Sequence, residues 1–281
     1  MGNIFSRTPD ITLETFPTPV FGISIEDLFS RDGESIPRVL IQLCVCLVFA
    51  HDKKQHLFLR PGNPLAVEKT KKDIEKNGKF NMYKMDPYVC ASLIKELFID
   101  MPTGVIPLTQ QRMMLAAYDR LSNNQGKMIS SLMEIVEEMP NTHKSLLKFI
   151  CDFCWVVTKE PSKGVDMADL AMCIGPNLFK VELHEVEEGV DELTTLMKFS
   201  EIINMIFTKR EEIFKGYPYE NDLLKNCKTT RDLQRKKGIM DWMMTDLTLT
   251  PQERAGQRAH RDHLRMPSRI FGVWCPSSQF G

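Results

Sequence analysis

Between Val39 and Phe49 the chain reads Val-Leu-Ile-Gln-Leu-Cys-Val-Cys-Leu-Val-Phe, apolar on every face of a helix apart from Gln42. A helix with no polar side has to be surrounded, so this run predicts a central core helix, entered at Ile36-Pro37 and continuing through Val48. No stretch shows convincing strand alternation and no internal repeat is present. The fold class that follows is all-α.

Starts and stops for the surrounding helices can be read from cap chemistry. Ile25 to Phe29 is a short helical turn, ended by Arg31-Asp32-Gly33. Asn63 is a good N-cap and Pro64 a good first residue for a helix to about Asn77, closed by Gly78. Its main apolar positions are Leu65, Val67 and Ile74, and Lys69, Lys71, Lys72 and Lys76 read as a solvated face or one that meets an acidic partner. Asp86-Pro87 opens the next helix, to about Ile99, with Val89, Leu93, Ile94 and Leu97 as its buried stripe and Met101-Pro102 as its stop. Leu108 to Leu121 follows as an amphipathic helix, broken by 122–126. Met128 to Glu138 is next, and then Asn141 is read as the cap of an apolar helix from Ser145 to Val157. Glu160 to Gly164 is a loop. Asp166 to Ile174 is helical, Gly175-Pro176 ends it, and a last long helix runs from about Glu192 to Phe214.

These elements divide the chain into an N-terminal tail (1–19), a helical domain (20–215) and a basic C-terminal tail (216–281). The last carries Arg235-Lys236-Lys237, Arg254, Arg258, Arg261, Arg265 and Arg269, and reads as disordered. Within it Ile239 to Met244 is a short helix candidate for docking, and the basic character suits an anionic lipid surface or a partner protein.

Composition narrows the function. Hydrophobic residues are 43% of the 281 and charged residues 26%, the balance of a globular protein. A net charge of −1 argues against a nucleic-acid binder. No apolar run reaches the roughly 18 residues of a membrane span, and the N-terminus lacks the basic-then-apolar order of a secretory signal. The eight cysteines fall mostly in apolar helical patterns. Cys151 and Cys154 have metal or redox spacing, but no second pair or His cluster lies near, so buried reduced thiols of a cytoplasmic protein are expected, with no metal and no cofactor. Met1-Gly2-Asn3-Ile4-Phe5-Ser6 fits the N-myristoylation pattern with Gly2 as acceptor. One such chain gives only weak peripheral membrane attachment, of order 10⁴ M⁻¹. The competing reading is a plain terminal tail.

The stretch Leu57-Phe58-Leu59-Arg60-Pro61-Gly62-Asn63-Pro64 carries the chemistry. Arg60 sits beside a Pro-Gly turn that holds a side chain towards solvent, where it is either a probe for a phosphate-bearing partner or a solvated loop arginine. This loop, with Phe21-Gly22-Ile23 upstream and Asp169-Leu170-Ala171 through Gly175-Pro176-Asn177-Leu178-Phe179 downstream, resembles a Rho-GAP domain over roughly Pro19 to Phe214. That family stimulates GTP hydrolysis by Rho-type small GTPases. The resemblance implies a GTP-bound Rho-type GTPase as partner. It also implies a chain that at most activates another protein's hydrolysis, with Lys95, Ile99, Asp169 and Asn177 at the GTPase-binding positions.

In the family the loop reads hydrophobic, Phe, Arg, any residue, Ser or Pro, Gly, Asn. Phe58, Pro61, Gly62 and Asn63 align without a gap, so Leu59 holds the finger position and Arg60 stands one place late. The family helix that contains Lys95 carries an arginine four residues on, where this chain has Ile99. Asp169 replaces the asparagine of the family's Asn-Leu-Ala, and an ionised Asp accepts but cannot donate. The family's Asn-Lys-Met reads Lys163-Gly164-Val165. Scaffold positions kept beside altered active positions point to a pseudo-GAP with weak or no stimulation of hydrolysis. Two alternatives stand beside it. Arg60 acts as a displaced finger, or the chain is an adaptor that works through its C-terminal tail without binding a GTPase.

Overall fold

The computed structural model describes residues 15–32, 36–49, 56–81, 85–159, 164–180 and 192–217, and among them every regular element is helical. The Gly2 acylation motif, Lys163 and the basic tail from residue 218 lie outside the described residues.

The apolar run forms α2 (Arg38–Phe49), and its buried residues include Val39, Leu40, Ile41, Leu43, Cys44, Val45, Cys46 and Leu47. Each such Leu, Ile or Val contributes about 1.5–3 kcal/mol when fully buried, which makes α2 the axis of the core. It packs against α4 (Pro87–Asp100) and α7 (Asn141–Thr158), and α3 (Pro64–Asn77) packs in turn on α4. Leading into the core is α1 (Ile25–Asp32); α5 (Leu108–Leu121) and α6 (Gln125–Glu137) pack as a pair. The last layer is α8 (Met167–Ile174), a 3₁₀ turn Gly175–Leu178, α9 (Glu192–Thr208) and α10 (Arg210–Ile213).

The expected caps of α3 and α4 form. Asn63 Oδ1 accepts the N–H groups of Leu65 and Ala66, and Asp86 accepts that of Tyr88. Gly78 ends α3 at φ 59°, and a Cβ there would stand 2.2 Å from the carbonyl oxygen of Phe16. That close approach lets Phe16 donate its N–H to the Gly78 carbonyl at 2.8 Å and bury its ring beside Phe80. Glu75 then accepts the N–H groups of Val20 and Phe21, which fastens the segment before α1 onto α3.

Several boundaries and faces differ from the sequence reading. Asn141 does not cap α7; it is its first residue, after Pro140. The first turn is held by tertiary bonds: His143 Nδ1 meets the Val105 carbonyl at 2.8 Å, and Lys144 donates to the Glu137 carbonyl at 2.7 Å. Helix α6 begins at Gln125 because Asn124 accepts the Lys127 N–H, so Gly126 lies inside the helix and not in its break. The last helix is interrupted at Lys209, whose φ of −104° and ψ of 20° separate α9 from α10. Gly175-Pro176 does not stop the chain outright but continues it for one 3₁₀ turn. Leu65 is 76% exposed and not part of the core. Lys71, read as part of a solvated face, turns onto α4 and pairs with Glu96 at 2.9 Å and Asp100 at 2.6 Å, its ammonium 4.9 Å from the Phe21 ring.

Tyr217 closes the described domain on the first turn of α7. Its hydroxyl shares a 2.7 Å hydrogen bond with that of Ser145, and the Lys144 ammonium lies 5.4 Å from its ring. The described cysteines form no disulfide. Burial pushes the thiols of Cys44, Cys90, Cys151 and Cys154 well up, so they are inert core residues.

Candidate functional site

Residues 56–62 do not form an extended run. The carbonyl of His56 accepts the N–H groups of both Leu59 (3.2 Å) and Arg60 (3.1 Å), which closes one tight turn. His56 and Phe58 are both left-handed, at φ 60° and 70°. A non-glycine residue in that region is strained and persists only where its surroundings hold it. Three bonds or contacts do so. The Phe58 side chain is buried and meets Phe153 of α7 edge-on, with ring centres 6.1 Å apart. Its carbonyl accepts from Lys95 Nζ at 3.2 Å. Gly62, further along, donates its N–H to Ser92 Oγ at 2.9 Å.

Gly62 is seated so closely that a Cβ would stand 2.7 Å from the backbone of Val89. Real Cβ atoms do not approach backbone that closely, so only glycine fits. Ser92 and Lys95 are one turn apart on α4. The loop therefore lies along a single face of that helix, anchored at Phe58 and at Gly62. Between the anchors stand Leu59, Arg60 and Pro61, all exposed. Leu59 and Arg60 are thus consecutive exposed residues of one closed turn.

The remaining predicted residues surround Lys95. Ile99 follows it by one turn of α4 and is 49% exposed, and its carbonyl accepts from Lys180 Nζ at 2.8 Å. Asp169 and Cys173 lie one turn apart on α8, close enough that both Asp169 and Lys95 act on the Cys173 thiol. Partial burial pushes that thiol up, the Lys95 charge opposes the rise and the Asp169 charge adds to it. Asp169 itself completes a capping box: its carboxylate accepts the Asp166 N–H at 3.1 Å and its own N–H donates to Asp166 Oδ1 at 2.8 Å. Asn177, in the 3₁₀ turn, donates to the Cys173 carbonyl at 3.2 Å. Met172, the residue before Cys173 on α8, is 58% exposed.

Loop, α4 and α8 thus bring Leu59, Arg60, Lys95, Asp169 and Asn177 into one region, with Ile99 at its edge. Sequence reasoning missed Ser92. Its spacing from Lys95 and Ile99, three and then four residues on, is the signal that places it on their face. It also missed the contact of Lys95 with the Phe58 carbonyl, for which no signal exists in a one-dimensional reading. Among the described residues no group of three or more His, Cys, Asp or Glu is placed to hold a metal ion.

The RhoGAP domain family model matches residues 37–182. Mouse Rho GTPase-activating protein 24 is 24% identical over 204 residues, covering 69% of this chain and 26% of that protein. The Caenorhabditis elegans GTPase-activating protein rrc-1 is 22% identical over 166 residues, 58% of this chain and 22% of that protein. Among solved structures, human Rho GTPase activating protein 15 superposes with a TM-score of 0.61 at 16% identity, over 69% of this chain and 92% of that one. The BH domain of GRAF, the GTPase regulator associated with focal adhesion kinase, does so with a TM-score of 0.52 at 16% identity, over 65% and 98%. The chain spans about a quarter of the length of these curated relatives. With its helical fold and its loop seated on α4, the chain belongs to the RhoGAP domain family.

Proposed function

We propose that this chain is a regulator of Rho-family GTPase signalling that binds the GTP-bound GTPase through the 56–63 loop and the adjoining faces of α4 and α8, with weak or no stimulation of hydrolysis. One observation carries the reading: Leu59 is the residue directly after the buried Phe58, in the position the family gives to its arginine. The register is supported at both ends. Sliding Arg60 into that position would withdraw the Phe58 ring from the core, at a cost of about 1.5–3 kcal/mol, and unseat Gly62 from Val89.

An arginine finger is worth roughly 10³–10⁵ in rate, or about 4–7 kcal/mol of barrier. Leucine can exclude water but carries no charge to offset that developing on the transferring phosphoryl group. The rival reading has its own observation: Arg60 is exposed on the same turn as Leu59. If its longer side chain reaches the phosphate, the chain is an active GTPase activator. The adaptor reading rests on the tail beyond residue 217. We read the chain as cytoplasmic, with Gly2 as the acceptor of any peripheral membrane attachment.

Single-turnover GTP hydrolysis by a panel of Rho-type GTPases separates the readings. With the wild-type chain, rates are expected to stay within about tenfold of the intrinsic rate. Leu59→Arg is expected to raise them by about 10²-fold or more, and Arg60→Ala to change nothing. Stimulation near 10³-fold by wild type, lost in Arg60→Ala, would establish the displaced finger instead.

A further inference from the structure

Apart from the exposed Arg60, the polar side chains of the site are turned towards the protein itself. Lys95 donates to the Phe58 carbonyl, Asp169 is engaged by the N-terminus of its own helix, and Asn177 donates to the Cys173 carbonyl. Two large apolar side chains are exposed on the loop and at the edge of the same region: Leu59 at 38% and Ile99 at 49%. By the resemblance, Leu59 stands where the family carries its finger arginine and Ile99 where it carries a second GTPase-facing arginine.

We infer that this chain binds its GTPase without distinguishing the transition state of hydrolysis from the GTP ground state, the affinity at this site coming from apolar contacts of Leu59 and Ile99. The inference rests on the GTPase-binding reading above and adds to it. Only a group whose interaction strengthens as charge develops can favour the transition state; a contact made equally in both states is uniform binding. An isobutyl or sec-butyl group gains from desolvated area, and that gain does not change when a phosphoryl group leaves. Arg60 is the side chain in the loop that could break this equality, so it is included in the test.

The experiment measures the dissociation constant of the full chain for a Rho-type GTPase in two forms. One is loaded with a non-hydrolysable GTP analogue and the other with GDP and aluminium fluoride. Wild type is expected to bind both within about threefold. Leu59→Ala and Ile99→Ala are each expected to weaken both forms equally, by about three- to tenfold. Leu59→Arg is expected to create a preference of about 30-fold or more for the aluminium fluoride form. Both side chains are exposed, so the variants should melt with wild type, which a thermal scan checks.

A tenfold or greater preference by the wild-type chain for the aluminium fluoride form overturns the inference, and with it the weak stimulation proposed above, but leaves GTPase binding itself intact; loss of that preference in Arg60→Ala would identify the responsible charge. Unchanged affinities in both alanine variants overturn it as well. Failure to bind either form overturns the GTPase-binding reading and this inference with it.

Discussion

The ammonium of Lys95 holds the carbonyl of Phe58 at 3.2 Å, a single bond between α4 and a loop residue whose φ is 70°. A charged donor to a carbonyl contributes about 1.5–3 kcal/mol where it is shielded from water, and Lys95 is half-buried. Lys95→Met keeps the aliphatic stem and removes the bond. Global stability is expected to fall by no more than about 2 kcal/mol, while the amide protons of Leu59 and Arg60 lose protection. Hydrogen exchange resolved to residues 56–62 checks this, and a loop with unchanged protection would show that the bond is incidental.

Phe58 is expected to matter to the fold more than any other loop residue. Phe58→Ala removes a ring that is 1% exposed and packed against Phe153. Such truncations cost about 3–5 kcal/mol, some of which the loop can recover by relaxing its backbone. The urea midpoint of the variant gives the value. A loss under 1 kcal/mol would mean that the ring is not an anchor and that the loop's register is free to shift.

Gly62→Ala tests the second anchor. The added methyl group would meet backbone atoms of Val89 at 2.7 Å and of Tyr88 at 2.8 Å, and backbone cannot yield as a side chain can. A cost of about 1–3 kcal/mol is expected from overpacking. The informative readout is the double variant with Leu59→Arg. Because misplacement of about an ångström costs about 10²-fold in rate, Gly62→Ala should abolish the activity that Leu59→Arg confers. Retained activity would separate loop position from catalysis.

Competition is the cellular counterpart of the proposed function. A chain that occupies the GTP-bound GTPase without discharging it should shield the nucleotide. Added to a reaction driven by an active RhoGAP domain, the wild-type chain is expected to slow hydrolysis in proportion to occupancy. Leu59→Arg should remove that inhibition. An increase in rate with the wild-type chain would contradict it.

The bond between Glu26 and His143 gives a pH dependence unrelated to the site. Partial burial works to raise the Glu26 carboxyl, but bonds from His143 and its own backbone N–H outweigh it and hold the group below its ordinary value of 4.5. A carboxyl depressed in the folded state adds stability above its unfolded value and loses it as pH falls through the folded one. Melting temperature should therefore drop on acidification below about pH 4.5, and Glu26→Gln should flatten part of that drop. An identical profile for the variant would assign acid sensitivity elsewhere.

The helical domain was largely legible in the sequence because its signals are local. Asn63-Pro64 and Gly78, Asp86-Pro87, and the Leu108 to Leu121 periodicity each specify a boundary from residues next to it. The first turn of α7 was not legible because Val105 and Glu137, which hold His143 and Lys144, are brought there only by folding. Lys71 was misread for the same reason, since Glu96 and Asp100 lie on another helix. At the site the substituted positions Leu59, Ile99 and Asp169 could be named from the loop and helix patterns. What the chain alone could not give is that two left-handed residues close the loop into a turn on which Leu59 and Arg60 are both exposed.

The docking of Tyr217 has a practical side. Its hydroxyl is bonded to Ser145 near the start of α7, whereas Phe58 of the loop packs on Phe153, eight residues and about 12 Å further along the same helix. A fluorophore, affinity handle or sensor surface joined just past residue 217 would be attached about two helical turns along α7 from the point where the Leu59 loop is anchored, and so away from the loop itself.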